Sequence, residues 1–294
     1  MAHATDSNNY YVPHSSKWPV IAAGALFVFM IGAGNWLNGN AVFGIPAKLV
    51  FVIGLIAIIY MIFGWGAEVI RENNEGINNL QVDRSYRMGI GWFIFSEVMF
   101  FAAFFGALFY ARQFALPWLS GEGSNFFTNF LLWDGFEGGW PNNGPENVGG
   151  DYQSMGPFWL PTINTVLLIS SSFTVTMAHH AILKNNMNKA FYLTAFSVLL
   201  GAIFVGLQGL EYYHAYHELN LTLNTGIYGS TFFMLTGFHG LHVTLGATML
   251  LLMAIRIKRG HFTPERHFGF LAAEWYWHFV DVVWIMLYFF VYWM

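Results

Sequence analysis

Cysteine is absent from the 294 residues, which excludes disulfides, thiolate metal sites, cysteine-bound copper and covalent haem attachment. Charge is scarce too. Asp, Glu, Lys and Arg make up 10% of the chain while 56% is hydrophobic; a soluble domain carries about 25% charged residues, so an integral membrane protein is expected. Basic clusters of the kind that grip nucleic acid are missing. The first sixteen residues carry no basic n-region, and no small-x-small cleavage site follows the first apolar run, so that run reads as a retained helix and not as a signal peptide. Neither an internal repeat nor a low-complexity tract is visible.

What the chain does have is apolar length. Seven apolar segments run at roughly 18–37, 46–67, 86–111, 160–183, 189–213, 226–255 and 269–293, each near the ~20 helical residues that cross ~30 Å of hydrocarbon. Pro46 and Pro161 stand near segment starts, where a missing N–H donor matters least. The connections are short except 113–159, a long turn-rich loop with Trp118, Trp133, Phe136 and Trp140; so many aromatics predict packing on the membrane surface or on a partner. With the N-terminus inside, Lys17, Arg71, Arg84, Arg87, Lys184, Lys189, Arg256, Lys258, Arg259 and Arg266 fall on the inner side, and only Lys48 and Arg112 outside. The outer side collects Glu122, Asp134, Glu137, Glu146, Asp151 and Glu218. This asymmetry predicts seven helices with the N-terminus inside and the C-terminus outside.

Ionisable groups at membrane depth face a protein interior or a water cavity, so each one is a candidate. In the last segment Glu274, His278 and Asp281 recur at i, i+4 and i+7 and share one helical face, which the other helices must partner. Glu97 lies about 11 residues, roughly 16 Å, into the third segment. It is either a proton-relay or cation-binding carboxyl, or a protonated glutamic acid hydrogen-bonded to a neighbouring helix. A bond to His242 or His239 is expected. Those two histidines sit one turn apart in the sixth segment, with Gly237 before them and Gly240 between them. They can ligate a metal or bond across the helix interface, with Asp281 and His278 among the possible partners; no third ligand lies nearby, so no metal site is expected. Glu211 with His214 reads as a helix-end pair, and His179 with His180 as an inner-side helix end beside Lys184, suited to anionic lipid. Arg71, Arg87, Arg256, Arg259, His261 and Arg266, near Glu72, form an inner basic set that is either a phospholipid headgroup site or a topology signal alone. No nucleophile–base–oxyanion arrangement, phosphate loop or redox-cofactor motif is present, so no catalytic residue is assigned.

Trp92 through Phe101 with Ser-Glu-Val-Met-Phe-Phe, Ala178-His179-His180, Gly229 through Phe233, Thr236 through His242 and Trp275 through Trp284 resemble cytochrome c oxidase subunit III, over nearly all the chain from the first helix onward. The resemblance implies an all-α polytopic membrane protein with seven transmembrane helices in a two-plus-five arrangement around a lipid-filled cleft. In those terms 1–17 is an inner-side tail, 18–67 the first two helices, 68–85 an inner loop and 86–294 the five-helix bundle with outer loop 113–159. It implies a non-catalytic subunit of a haem–copper terminal oxidase, with no cofactor of its own but bound phospholipids. Haem and copper belong to subunits I and II, its partners, and cytochrome c donates to the complex but not to this chain. Glu97 matches the family's carbodiimide-reactive carboxyl, and Arg71, Glu72, Arg87, Arg256, His261 and Thr263 carry over as headgroup residues, with Arg259 and Arg266 where relatives have other basic residues. The implied roles are stabilising subunit I, supporting its proton uptake, protecting it from turnover inactivation and giving oxygen a lipid route inward. His3 and His14 would act as inner-surface proton antennae. The long outer loop points to a bacterial cytoplasmic membrane, and the first two helices, which related quinol-oxidase subunits usually lack, to cytochrome c as the complex's donor. A free-standing transporter using Glu97, His239, His242 and Asp281 would call for inverted repeats and broken helices, which the sequence lacks.

Overall fold

The computed structural model describes residues 15–76 and 80–294. His3 and His14, expected as proton antennae, lie outside them. Among the described residues seven helical spans are long and apolar enough to cross a membrane: Trp18–Leu37, Ala47–Asn74, Leu80–Leu119, Leu160–Leu183, Met187–His217, Gly226–Lys258 and Phe268–Trp293. The protein is an all-α polytopic membrane protein, and among the described residues its β structure is one hairpin of two-residue strands, Ala41–Val42 with Ile45–Pro46.

The chain divides into two compact units, Met1–Tyr86 and Arg87–Met294. In the first, α1 (Trp18–Leu37) packs on α2 (Ala47–Asn74). Glycine sets how closely. A Cβ on Gly32 would overlap the backbone of Phe51, and one on Gly54 would overlap the backbone of Phe29, so bare backbone on each helix meets backbone on the other. Close approach through small residues is how helices gain dispersion energy in lipid, where hydrophobic burial offers none. α2 runs on to Asn74 and the next helix starts by Leu80, so the connection expected over 68–85 is largely helical. Continuous helix keeps backbone groups paired beyond the apolar stretch.

The second unit holds most of α3 (Leu80–Tyr110), which continues through a π-helical turn at Ala111–Ala115 into α4 (Leu116–Leu119). After α5 (Phe126–Leu132) come α6 (Leu160–Leu183), α7 (Met187–His217), α8 (Gly226–Lys258) and α9 (Phe268–Leu287), which ends in a second π-helical turn, Tyr288–Trp293. Pro161 lies in the first turn of α6, and the Asn186 side chain caps α7 by accepting from the Lys189 N–H at 3.1 Å. At the centre Trp277 is fully buried and donates from Nε1 to Ser171 Oγ at 2.9 Å. Gly201 of α7 and Gly246 of α8 lie flat against its ring; a Cβ on either would come within 2.7 or 2.8 Å of it. One indole therefore ties α6, α7, α8 and α9 together. α3 packs on them along a seam of rings, with Phe93 against Tyr276, Phe101 against Phe279 and Phe104 against Phe238 at centroid distances of 5.2–6.1 Å.

The segment 113–159 is not a plain loop. It contains α4 and α5, and its latter part packs on the bundle's own α7–α8 connection. Gln153 N–H donates to Leu219 O at 2.9 Å, Asn220 donates to Asp151 O at 2.8 Å, and Tyr228 meets Trp140 edge to face and Tyr152 in a stack, each at 5.5 Å. Burial raises the phenol pKa of Tyr152. These aromatics are spent partly on the chain itself, where the sequence suggested membrane surface or partner.

Candidate functional site

Two polar constellations lie among the helices of the second unit. The first joins α3 to α8. Glu97, just past the midpoint of α3, bonds through Oε2 to His242 Nε2 at 2.8 Å. His242 Nδ1 lies 2.6 Å from the carbonyl oxygen of Phe238. A carbonyl only accepts, so Nδ1 carries a proton. Nε2 is then either a donor to the carboxylate or an acceptor from the carboxylic acid, and in both arrangements the pair shares one proton and is neutral overall. Phe100 and Phe101 wall the imidazole at centroid distances of 5.9 and 5.0 Å, while 22% of the Glu97 side chain remains accessible. The pair is enclosed on the bundle side and open on another.

The second constellation is a ladder between α6 and α9. Thr162 bonds Tyr288 at 2.8 Å, Thr165 accepts from Trp284 Nε1 at 3.0 Å, and Ser171 accepts from Trp277. Ser172 and Thr176 bond the two nitrogens of His278 at 2.5 and 3.1 Å. Glu274 closes the series, its Oε2 2.6 Å from His179 Nδ1 and its Oε1 3.8 Å from His278 Nε2. Asp281 is buried, with Ser172 and His278 beside it, and its carboxyl oxygens accept no hydrogen bond of ordinary geometry. Beyond His179 the ladder meets His267, 5.1 Å away ring to ring. His267 lies outside the spans, and burial, helped by His179 and Arg87, holds it below the usual histidine range.

The intramembrane groups expected to act together are thus divided. His242 serves Glu97, whereas His239 donates from Nε2 to the Val280 carbonyl at 3.1 Å and packs between Phe204 and Trp284. Neither histidine bonds Asp281 or His278, because those two face α6. His179, placed by its sequence position at an interfacial helix end, is turned inward onto Glu274; only His180 stands with Lys184 and Lys189 around a surface pocket. Glu211 does not pair with His214. It is fully buried and accepts from Tyr292 OH at 2.6 Å, while His214 bonds Glu218 at 2.9 Å. Sequence reasoning missed the hydroxyl side of the ladder. Its signal was the run Ser171, Ser172, Thr174, Thr176 inside an apolar helix, whose hydroxyls must bond something in lipid.

The basic residues expected on the inner side fall in both units. Arg71 pairs with Glu68 at 3.4 Å and Glu75 at 3.7 Å, and Glu72 lines an apolar cleft of about 450 Å³ with Trp18, Met61 and Trp65. In the second unit Arg87 lies over the Phe268 ring, and Arg256 is buried with its guanidinium 4.5 Å over Phe262. Arg259 caps the end of α8, and Thr263 Oγ1 accepts from the Arg266 N–H at 3.1 Å in the turn that follows. Burial, with Arg256 and Arg259 adding to it, lowers the His261 pKa. Among the described residues no three or more histidine and carboxylate side chains are grouped to hold a metal.

Seven apolar spans with acid–histidine pairs locked between them define a multi-pass membrane protein built around internal polar contacts. The family model for cytochrome c oxidase subunit III matches residues 8–119 and 138–294. The chain is 37% identical to cytochrome c oxidase subunit 3 of Latimeria chalumnae and 36% to that of Tetraodon nigroviridis, in each case over all of this chain and 99% of the relative. It is 38% identical to the same protein of Gadus morhua, over 97% of this chain and 96% of the relative. The chain belongs to the cytochrome c oxidase subunit III family. It is thereby part of an oxidase complex, assembled with other oxidase subunits.

Proposed function

We propose that this chain is the non-catalytic subunit III of an aerobic respiratory cytochrome c oxidase. It stabilises subunit I, binds phospholipid, and supports proton uptake and oxygen access while oxygen is reduced to water at haem and copper held by subunits I and II. The observation that carries this reading is the Glu97–His242 pair. It holds a single proton in either of two arrangements, enclosed by phenylalanine on the bundle side and accessible on another, which suits a group that takes up and returns protons without redox chemistry of its own. The inner-side cations and Glu72 supply phospholipid headgroup contacts, and apolar faces such as the cleft at Trp18, Met61 and Trp65 receive acyl chains. The presence of α1 and α2 favours cytochrome c over a quinol as donor to the complex; subunit III of a related quinol oxidase is the alternative.

The membrane we propose is a bacterial cytoplasmic membrane, with the N-terminus cytoplasmic and the C-terminus periplasmic. The orientation rests on the sorting of Lys and Arg. The bacterial placement rests on the long outer segment, of which 120–137 lie outside the family match; the relatives named above come from vertebrates.

Glu97→Gln in the purified complex tests the proton role. A glutamine amide still reaches His242 but neither gives up nor takes a proton, so initial turnover near wild type, with earlier inactivation and a falloff at lower pH, is the expected result. Wild-type durability and pH profile in a fully assembled Glu97→Gln complex would leave the pair a structural bond and remove the proton role.

A further inference from the structure

The short helix α5 lies wholly within residues 120–137, outside the family match, and it is unlike the polar segment that holds it. Five of its seven residues, Phe126, Phe127, Phe130, Leu131 and Leu132, are large, apolar and each more than half exposed. Charge stands only beyond its two ends, at Glu122 and Asp134. The exposure is built in. Asn129 Nδ2 lies 3.0–3.1 Å from the carbonyl oxygens of Leu119, Trp133 and Phe136, and Trp118 Nε1 of α4 donates to Thr128 at 3.2 Å. A Cβ on Gly121 would come within 2.8 Å of the Asn129 Cβ, so α4 and α5 close into a tight hairpin. Thr128 and Asn129 thus face α4, while Phe127, Phe130 and Leu131, spaced i, i+3 and i+4, share a face turned outward. A contiguous apolar surface of this kind marks contact with a membrane or with a protein.

The position of the hairpin favours the membrane. α3, the π-helical turn and α4 form one continuous span that ends at Leu119. From Met88, just past Arg87, this helix rises roughly 48 Å to Leu119, close to the 40–45 Å or so of a bilayer with its headgroups, so α4 ends in the headgroup layer and α5 beside it. Phe109, Tyr110, Phe114 and Trp118, each more than half exposed, carry an aromatic stripe along the end of the span and onto α4. Aromatic belts of this kind stand at headgroup level, and Trp118 is the residue that bonds α5. The outward face of α5 therefore continues a surface that already meets lipid. We propose that the α4–α5 hairpin is a bilayer-surface anchor on the side of the 113–159 segment. Phe127, Phe130 and Leu131 enter the boundary between headgroups and acyl chains, the depth at which the apolar face of an interfacial helix rests, and Glu122 and Asp134 stay in water. The anchor grips the membrane surface as a whole and selects no lipid molecule. Its effect is to hold the start of the 113–159 segment down while the later part packs on the α7–α8 connection.

The test uses the purified oxidase complex in phosphatidylcholine vesicles. The chain has no cysteine, so Phe127→Cys and Leu131→Cys each place one nitroxide spin label on it, with the signal of the unsubstituted complex subtracted. Phe130→Cys replaces whichever of the two fails to assemble. Collision of the label with molecular oxygen, which concentrates in the bilayer, is compared with collision with a water-soluble nickel chelate. The oxygen-to-chelate ratio at both positions should be severalfold that at Ser124→Cys, in the turn between α4 and α5. A ratio no higher than at Ser124 would put the face in water, and loss of both kinds of collision would put it against a protein; either result overturns the proposal.

Discussion

Glu97 shows how much one residue's surroundings decide. A carboxyl in the middle of an apolar helix has to find a partner, so its importance was legible in the sequence. The identity of that partner was not, because His239 and His242 lie within one turn and only the rotation of α8 against α3 turns His242 toward it. Removing the carboxyl leaves His242 Nε2 unpaired in an apolar wall, which costs about 1–3 kcal/mol. Glu97→Ala is therefore expected to lower the melting temperature of the chain in the purified complex, and Glu97→Gln to change it little; equal losses would show that charge matters more than the hydrogen bond. His267 carries a pH prediction. Its folded pKa is held below the ordinary value of 6.5, so the unfolded chain binds more protons than the folded one as pH falls through that value. Stability contributed by the neutral ring is present above pH 6.5 and is lost on acidification below it. His267→Gln should flatten the acid limb of a curve of chain retention against pH, and an unchanged limb would assign the loss to other groups.

Among the elements, helix number and type were plain from apolar length, while helix ends and facing were not. Apolar composition ends before the helices do: α2 runs on to Asn74 and α3 starts by Leu80, because backbone pairing favours helix beyond the apolar stretch as well. The Glu274–His278–Asp281 face was visible by its spacing; that it meets α6, and so captures Ser172, Thr176 and His179, depends on packing order, which spacing does not encode. The Trp277 slot tests that packing. Gly201→Ala or Gly246→Ala pushes a methyl into a buried ring, an overpacking worth about 1–3 kcal/mol, and either should lower the thermal stability of the assembled complex. Gly206→Ala and Gly209→Ala, also on α7 but with open space at the Cβ position, should not. Similar behaviour of all four would contradict the role given to the indole.

At the scale of the whole molecule, seven spans and the sorting of basic residues predict opposite sides for the 113–159 segment and the α6–α7 turn. The chain has no cysteine, so single variants report cleanly. Ser124→Cys should react with a membrane-impermeant maleimide from the outer side, and Asn188→Cys only once the inner side is opened; reaction of both from one side would refute the topology. The composition that made membrane class and family legible says little about the lipid and proton roles, because these depend on partners and on how a few buried groups exchange protons. The most direct measurement is sustained oxygen consumption by the purified complex with and without this chain, at neutral and mildly alkaline pH. Preserved initial turnover, followed by early inactivation and a falloff at lower pH when the chain is missing, is the predicted result. Complete loss of turnover from the first seconds, with subunits I and II intact, would place part of the catalytic path in this chain and contradict a supporting role.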